Sequence, residues 1–167
     1  MAYDPATTAR PPAPSETDLL ARLWYDGWQD AHAAILPATL ARARTRESFA
    51  ERMTAALADV RVIGPEGAPL GFAMLKGDEL YQFYLAAEAR GAGVAAALIA
   101  DAEARLSERG VETAWLACAI GNARAAKFYE KSGWHLARTM VSRLDTADGS
   151  FDLEVWRYEK HLAGRAE

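Results

Sequence analysis

A chain of 167 residues that is 51% hydrophobic is long enough to bury one self-sufficient core, so a single domain over 1–167 is expected. The formal net charge of −4, with acids and bases interspersed, excludes the basic stripe of a nucleic-acid binder. One cysteine, Cys118, and three scattered histidines exclude an intramolecular disulfide and give no metal-ligand spacing, so no nucleic acid and no metal is expected.

No apolar run reaches the roughly 20 residues of a membrane span, so no membrane association is expected. Residues 1–14 are proline-rich and lack the apolar segment of a signal peptide, which makes a cytoplasmic protein the default. At most a weak edge strand near Thr7–Arg10, or a flexible arm, fits there. Ser15-Glu16-Thr17-Asp18 has the composition of a helix cap, with the serine oxygen accepting from first-turn amides. The helix it opens runs to about Ala34, and Leu20, Trp24, Trp28 and Ala31 or His32 form a stripe along one face. Pro37 ends or redirects it. A second helix is expected over Arg46–Ala58 from the spacing of Phe49, Met53 and Leu57.

Arg61–Ile63, Leu70–Leu75 and Glu79–Leu85 read as an antiparallel meander, with turns at Gly64-Pro65-Glu66-Gly67 and Gly77-Asp78. A helix from Gly93 to Arg109 presents Val94, Leu98, Ile99, Ala102 and Leu106 on one face and stops at Gly110. The apolar strand Thr113–Ile120 follows. A helix separates it from Glu79–Leu85, so the two strands are expected to be parallel in a right-handed crossover. Asn122–Ser132 is the next helix, and His135–Leu144 with Phe151–Tyr158 close the chain through a turn at Asp148-Gly149.

The chemistry concentrates at Arg90-Gly91-Ala92-Gly93-Val94-Ala95, between a strand and a helix. Glycines there permit a sharp turn and close approach of a ligand, and the first amides of the following helix lack intrahelical partners, so the junction suits a phosphate. No Walker lysine follows, and the spacing is not that of a dinucleotide fold. The loop could equally be a tight turn. Downstream, Asn122, Ala125 and Tyr129 share one helix face, and the plain reading makes Asn122 an N-cap and Tyr129 a core aromatic.

Taken together, R-x-x-G-x-A at Arg90–Ala95 and N-x-x-A-x-x-F-Y-x-x-x-G-W at Asn122–Trp134 resemble the GNAT superfamily of acyl-CoA-dependent N-acetyltransferases. The resemblance implies an α+β fold with a central mixed, mostly antiparallel sheet flanked by helices, and one parallel strand pair splayed around a coenzyme A site. It implies acetyl-CoA as co-substrate and an amine acceptor, and it leaves a homodimer open. The pyrophosphate would lie on the amides of Arg90, Gly91, Ala92, Gly93, Val94 and Ala95, and the pantetheine arm along Leu85, Ala86 and Ala87. Asn122 and Ala125 would contact the coenzyme, and Tyr129 would protonate the departing thiolate.

An amine must be neutral to attack a thioester, and Glu79 is the candidate base, although a solvated strand-end carboxylate is the rival reading. The Leu85 N–H, at a distorted strand end, is the candidate oxyanion donor. The family's first helices lie beside the acceptor, which makes Trp28 and His32 candidate substrate contacts, Trp24 core, and Asp26 or Asp30 an attractor for the amine. Cys118 reads as a small buried hydrophobe. A non-catalytic acyl-CoA sensor on the same fold is the alternative function.

Overall fold

The computed structural model describes residues 4–162, so residues 1–3 of the expected N-terminal arm lie outside it. Seven strands form one sheet: β1 (Ala9–Arg10), β2 (Val60–Ile63), β3 (Gly71–Lys76), β4 (Glu79–Leu85), β5 (Thr113–Ala119), β6 (His135–Thr146) and β7 (Gly149–His161). Their spatial order is β1-β2-β3-β4-β5-β7-β6. Every neighbouring pair is antiparallel except β4 and β5. The expected mixed sheet with one parallel pair is the architecture found.

Side chains alternate across β3 and so serve two cores. Ala73 and Leu75 pack with Leu98, Leu106 and Leu116, from the helix α4 (Val94–Glu108) and from β5. Phe72 and Met74 pack on the other face with Leu20 and Trp24 of α1 (Thr17–His32) and with Phe49 and Met53 of α3 (Arg46–Ala56). Trp24 meets Phe49 edge-on at 5.0 Å and Phe72 at 6.0 Å. Such aromatic pairs add about 0.5–1.5 kcal/mol beyond the area they bury.

The ladder between β3 and β4 is interrupted. Met74 pairs with Gln82 and Leu75 with Leu80, which leaves Tyr81 as an extra residue, a β-bulge. The strand is therefore distorted in its middle, whereas the sequence suggested distortion at its end. As a result Leu80, Phe83 and Leu85 all join the α4 core, while Tyr81 and Tyr84 join the α1 core.

Three further differences concern the N-terminal third. Ser15 does not cap α1; the carboxylate of Glu16 organises that corner instead. It is fully buried, takes Nη1 and Nη2 of Arg10 at 2.7 and 2.9 Å, and accepts from the amides of Ala13 at 2.9 Å and Gly67 at 3.2 Å. The Arg10 guanidinium, with these amides, holds its carboxyl below the usual range. A short helix α2 (Ala38–Ala43), unmarked in the sequence, follows Pro37. Thr45 then caps α3 by accepting from the Ser48 amide, and α3 tightens into a 3-10 turn after Ala56, two residues before the expected end.

Candidate active site

One pair of residues, Glu79 and Trp115, forms the bridge between β4 and β5 near their amino ends. Beyond it the strands diverge, and a cleft of about 150 Å³ opens in the gap. Glu79 and Tyr129 both line it, with Asn122 and Ala125 from the start of α5 (Ala123–Lys131) and Trp28 and His32 from the end of α1. Trp24, expected in the core, is 1% exposed and also walls the cleft.

At the carboxyl end of β4 the hydrogen-bond parity assigns the backbone. The Ala86 amide donates to the Leu70 carbonyl at 2.7 Å, so that amide is committed to the β3 side. Successive N–H groups of a strand point to opposite edges, so the Leu85 N–H is directed away from β3 toward the opening beside β5.

The glycine loop follows. Gly91 and Gly93 have φ of +83° and +77°, a left-handed backbone that other residues adopt at a cost of about 1–2 kcal/mol. A Cβ built on either would meet nothing within 4 Å, so the backbone here faces open space. Gly93 is the N-cap of α4 with no side-chain cap, which leaves the first amides of the helix as free donors. Val94 is 2% exposed and packs in the core, so the amide, rather than the side chain, is what it can present. Ala92 is exposed and Ala95 half-buried.

Residues 16–134 match the Acetyltransferase (GNAT) family. The chain belongs to that family. An uncharacterized N-acetyltransferase of Mycobacterium tuberculosis is 34% identical over 117 residues, covering 67% of this chain and 72% of the relative. The fold resembles a GCN5-related N-acetyltransferase structure from Rhodopseudomonas palustris, with a TM-score of 0.72, 21% identity, and 97% and 99% of the two chains covered. It also resembles the PaiA N-acetyltransferase of Thermoplasma acidophilum solved with coenzyme A, with a TM-score of 0.70, 18% identity, and 92% and 98% covered. The protein is thus a GNAT acyl-CoA-dependent N-acyltransferase, and the family's acyl donor is acetyl-CoA.

Burial governs the electrostatics of this acetyltransferase. Desolvation raises Glu79 to about 7, with Lys76 and Arg157 opposing and Asp78 reinforcing. Burial pushes the Tyr129 phenol far above its ordinary value, so it stays protonated, and its ring packs against Phe83, Phe128, Trp134 and Tyr158. Cys118, 3% exposed, is raised to about 12 by burial and carries no thiolate at neutral pH. Burial lowers His32 to about 4, against a weaker pull from the Trp28 carbonyl, and its Nδ1 is buried without a well-formed hydrogen bond.

Not every expected site residue shares the cleft. Leu85, Ala86, Ala87 and Arg90 line a separate groove against α1, together with Asp26 and Asp30. These two carboxylates therefore do not wait for an amine: each is two residues from Trp28, about 200° round the helix, which places them off the Trp28–His32 face. Asp30 instead pairs with Arg90 at 3.0 Å and Arg124 at 3.3 Å. Asn122 does cap α5, its Oδ1 accepting from the Ala125 amide at 3.3 Å, which leaves its Nδ2 for another partner. Sequence reading missed Arg44 and Arg52, which also line the cleft. Nothing local marks them: Arg44 is placed by the end of α2 and its bond to the β6–β7 hairpin, and Arg52 by α3. Among the described residues no group of acids, histidines and cysteine could hold a metal, and no helix is long and apolar enough to cross a membrane.

Proposed function

We propose that the protein transfers an acetyl group from acetyl-CoA to a primary amine by direct attack while both substrates are bound. The reading is carried by the placement of Glu79 and Tyr129 on one cleft in the splay between β4 and β5. The pyrophosphate rests on the amides of Arg90 to Ala95, and the pantetheine arm runs along Leu85, Ala86 and Ala87, with the Ala86 amide unable to donate. Asn122 and Ala125 add contacts from α5.

Glu79, with a pKa near neutrality, removes a proton from the bound ammonium or amine, directly or through water. The nitrogen lone pair forms the C–N bond and the carbonyl electrons move onto oxygen, where the Leu85 N–H receives the charge. The adduct nitrogen, where it still carries the extra proton, releases it to water, and collapse breaks the C–S bond. Tyr129 delivers its proton to the departing sulfur and is reprotonated from solvent. Cys118, held as a thiol, takes no part as a nucleophile. Trp28 and His32 contact the acceptor.

The test is a panel of primary amines incubated with acetyl-CoA and scored for free CoA thiol. Amine-dependent thiol release that falls in Tyr129→Phe supports the assignment. Binding of acetyl-CoA with no release from any amine would instead favour an acyl-CoA sensor.

A further inference from the structure

The acceptor end of the cleft carries two guanidinium groups without a carboxylate to match them. Arg44 is 5% exposed, and one of its N–H groups donates to the Asp145 carbonyl at 3.1 Å. Arg52 stacks over the Trp24 ring at 4.2 Å and donates to the Tyr81 hydroxyl at 3.3 Å. Those are neutral partners, and a guanidinium has several donors, so most of their hydrogen-bonding capacity is unused by the described residues. Neither arginine belongs to an ion pair among the described residues.

Nearby charges do not resolve this. Burial lowers Arg44 to about 10, and the positive charge of Arg52 lowers it further, against weaker opposing pulls that include Asp145. Glu79, on the same cleft, feels Lys76, Asp78 and Arg157 rather than these two arginines. A buried cation with a second cation beside it is unfavourable unless a counter-charge arrives. The wall also includes Leu36, Leu40, Leu144 and Leu153, with Ser142 and Gln82 as neutral polar members.

We propose that the acceptor is an amine that also carries a carboxylate, of the amino-acid type, and that Arg44 and Arg52 bind that carboxylate while the amine is presented to Glu79. The inference rests on the acetyl-transfer reading above and narrows its substrate class. Two planar forks suit a carboxylate, whose oxygens accept paired N–H donors. A single negative charge is also easier to desolvate against the leucine wall than a phosphate dianion. The anion fixes orientation, so the same amine without its carboxylate would enter without register.

Matched pairs decide it: leucine and phenylalanine against leucinamide and phenylalaninamide, each assayed with acetyl-CoA by thiol release. The amide amines are the less basic and more often neutral, so chemistry alone favours them. The proposal expects the free acids to win in kcat/KM by about 30-fold or more, the scale of losing one partner of a buried charge pair. Arg52→Gln should collapse that ratio toward one through KM for the acid, with little change for the amide. Arg44 anchors the hairpin that carries Asp145, so Arg44→Gln is the less informative variant.

A second readout is independent of turnover. Calorimetry on CoA-loaded protein should detect the N-acetylated acids and not their amides. Amides that match or exceed the acids in turnover overturn the proposal and leave acetyl transfer standing. Products that bind alike, or that fail to bind in both forms, overturn it even where no thiol is released, and absent release tells separately against the catalytic reading.

Discussion

Glu79 faces Trp115 across the single parallel bridge that joins β4 to β5 among the described residues, and the candidate base therefore sits where the sheet begins to open. Its backbone is held by the ladder to Lys76 on one side, while its carboxyl group reaches the cleft. Firm placement and partial desolvation come from the same position.

The pH–rate profile should report that desolvation. With Glu79 raised to about 7, kcat/KM should climb through that pH as the base ionises, and the limb should vanish in Glu79→Gln. Stability runs the opposite way. The folded pKa exceeds the ordinary 4.5, so the favourable contribution is complete below 4.5 and lost as pH rises through about 7. The melting temperature of Glu79→Gln relative to the parent should therefore rise between pH 4.5 and 8. A flat difference would place the carboxyl in bulk water.

Tyr129→Phe should lower kcat by about 10²–10⁴-fold, the usual worth of a general acid, with KM for acetyl-CoA nearly unchanged. The phenol is protonated throughout the accessible range, so its loss should not shift the rising limb of the profile. Equal turnover in the variant would return Tyr129 to a purely packing role.

Thermal denaturation locates the coenzyme. At a hundredfold excess over Kd, acetyl-CoA should raise Tm by about 5–10 °C. Gly93→Glu should abolish the rise, since its side chain would enter the open space that the loop faces. The left-handed φ of Gly93 means the variant also loses stability of its own, so Gly110→Glu is the control. Gly110, with φ of +84°, lies past the other end of α4, roughly 20 Å away, and should lose Tm while keeping the ligand shift.

His32 gives a second acid-sensitive signal of opposite sign. Its folded pKa is depressed from 6.5 to about 4, so the neutral ring contributes stability above 6.5 that is lost as pH falls through 4. His32→Gln should blunt the loss of Tm between pH 6.5 and 4. Its KM for the amine should rise while KM for acetyl-CoA holds.

Gly27 is closed to substitution by packing. A Cβ there would lie 2.6 Å from Cδ1 of Tyr84, an aromatic ring held between α1 and β4. Alanine ordinarily strengthens a helix by about 1 kcal/mol over glycine. The overlap outweighs it, and Gly27→Ala should destabilise by a net of about 1–2 kcal/mol in denaturant unfolding.

Much of this arrangement was legible. Glu79–Leu85 was bounded by the Gly77-Asp78 turn and, downstream, by the glycine loop, and the structure keeps those limits. The loop was legible because left-handed backbone demands glycine, and Gly91 and Gly93 announce it in sequence. Other features leave no local trace. Tyr81 is an ordinary strand former, so a bulge at that position carries no glycine or proline to mark it. Ser15 looked like the better cap, yet Glu16 wins because Arg10 and the Gly67 amide converge on it from distant segments. Arg44 meets its acceptor 101 residues away, a contact that periodicity cannot express.

The extra residue at Tyr81 acts as a parity switch. A strand obeys an even–odd rule for both side chains and amides, and one inserted residue exchanges even for odd from that point onward. Were the bulge ironed out, with Tyr81 paired to Met74 and every later residue slipped by one, Phe83 and Leu85 would move to the α1 face and Tyr84 to the α4 face. The Leu85 amide would turn inward to β3, and the Ala86 amide would turn out to the gap. One unpaired residue in the middle of β4 thus decides which amide at its far end faces the gap beside β5.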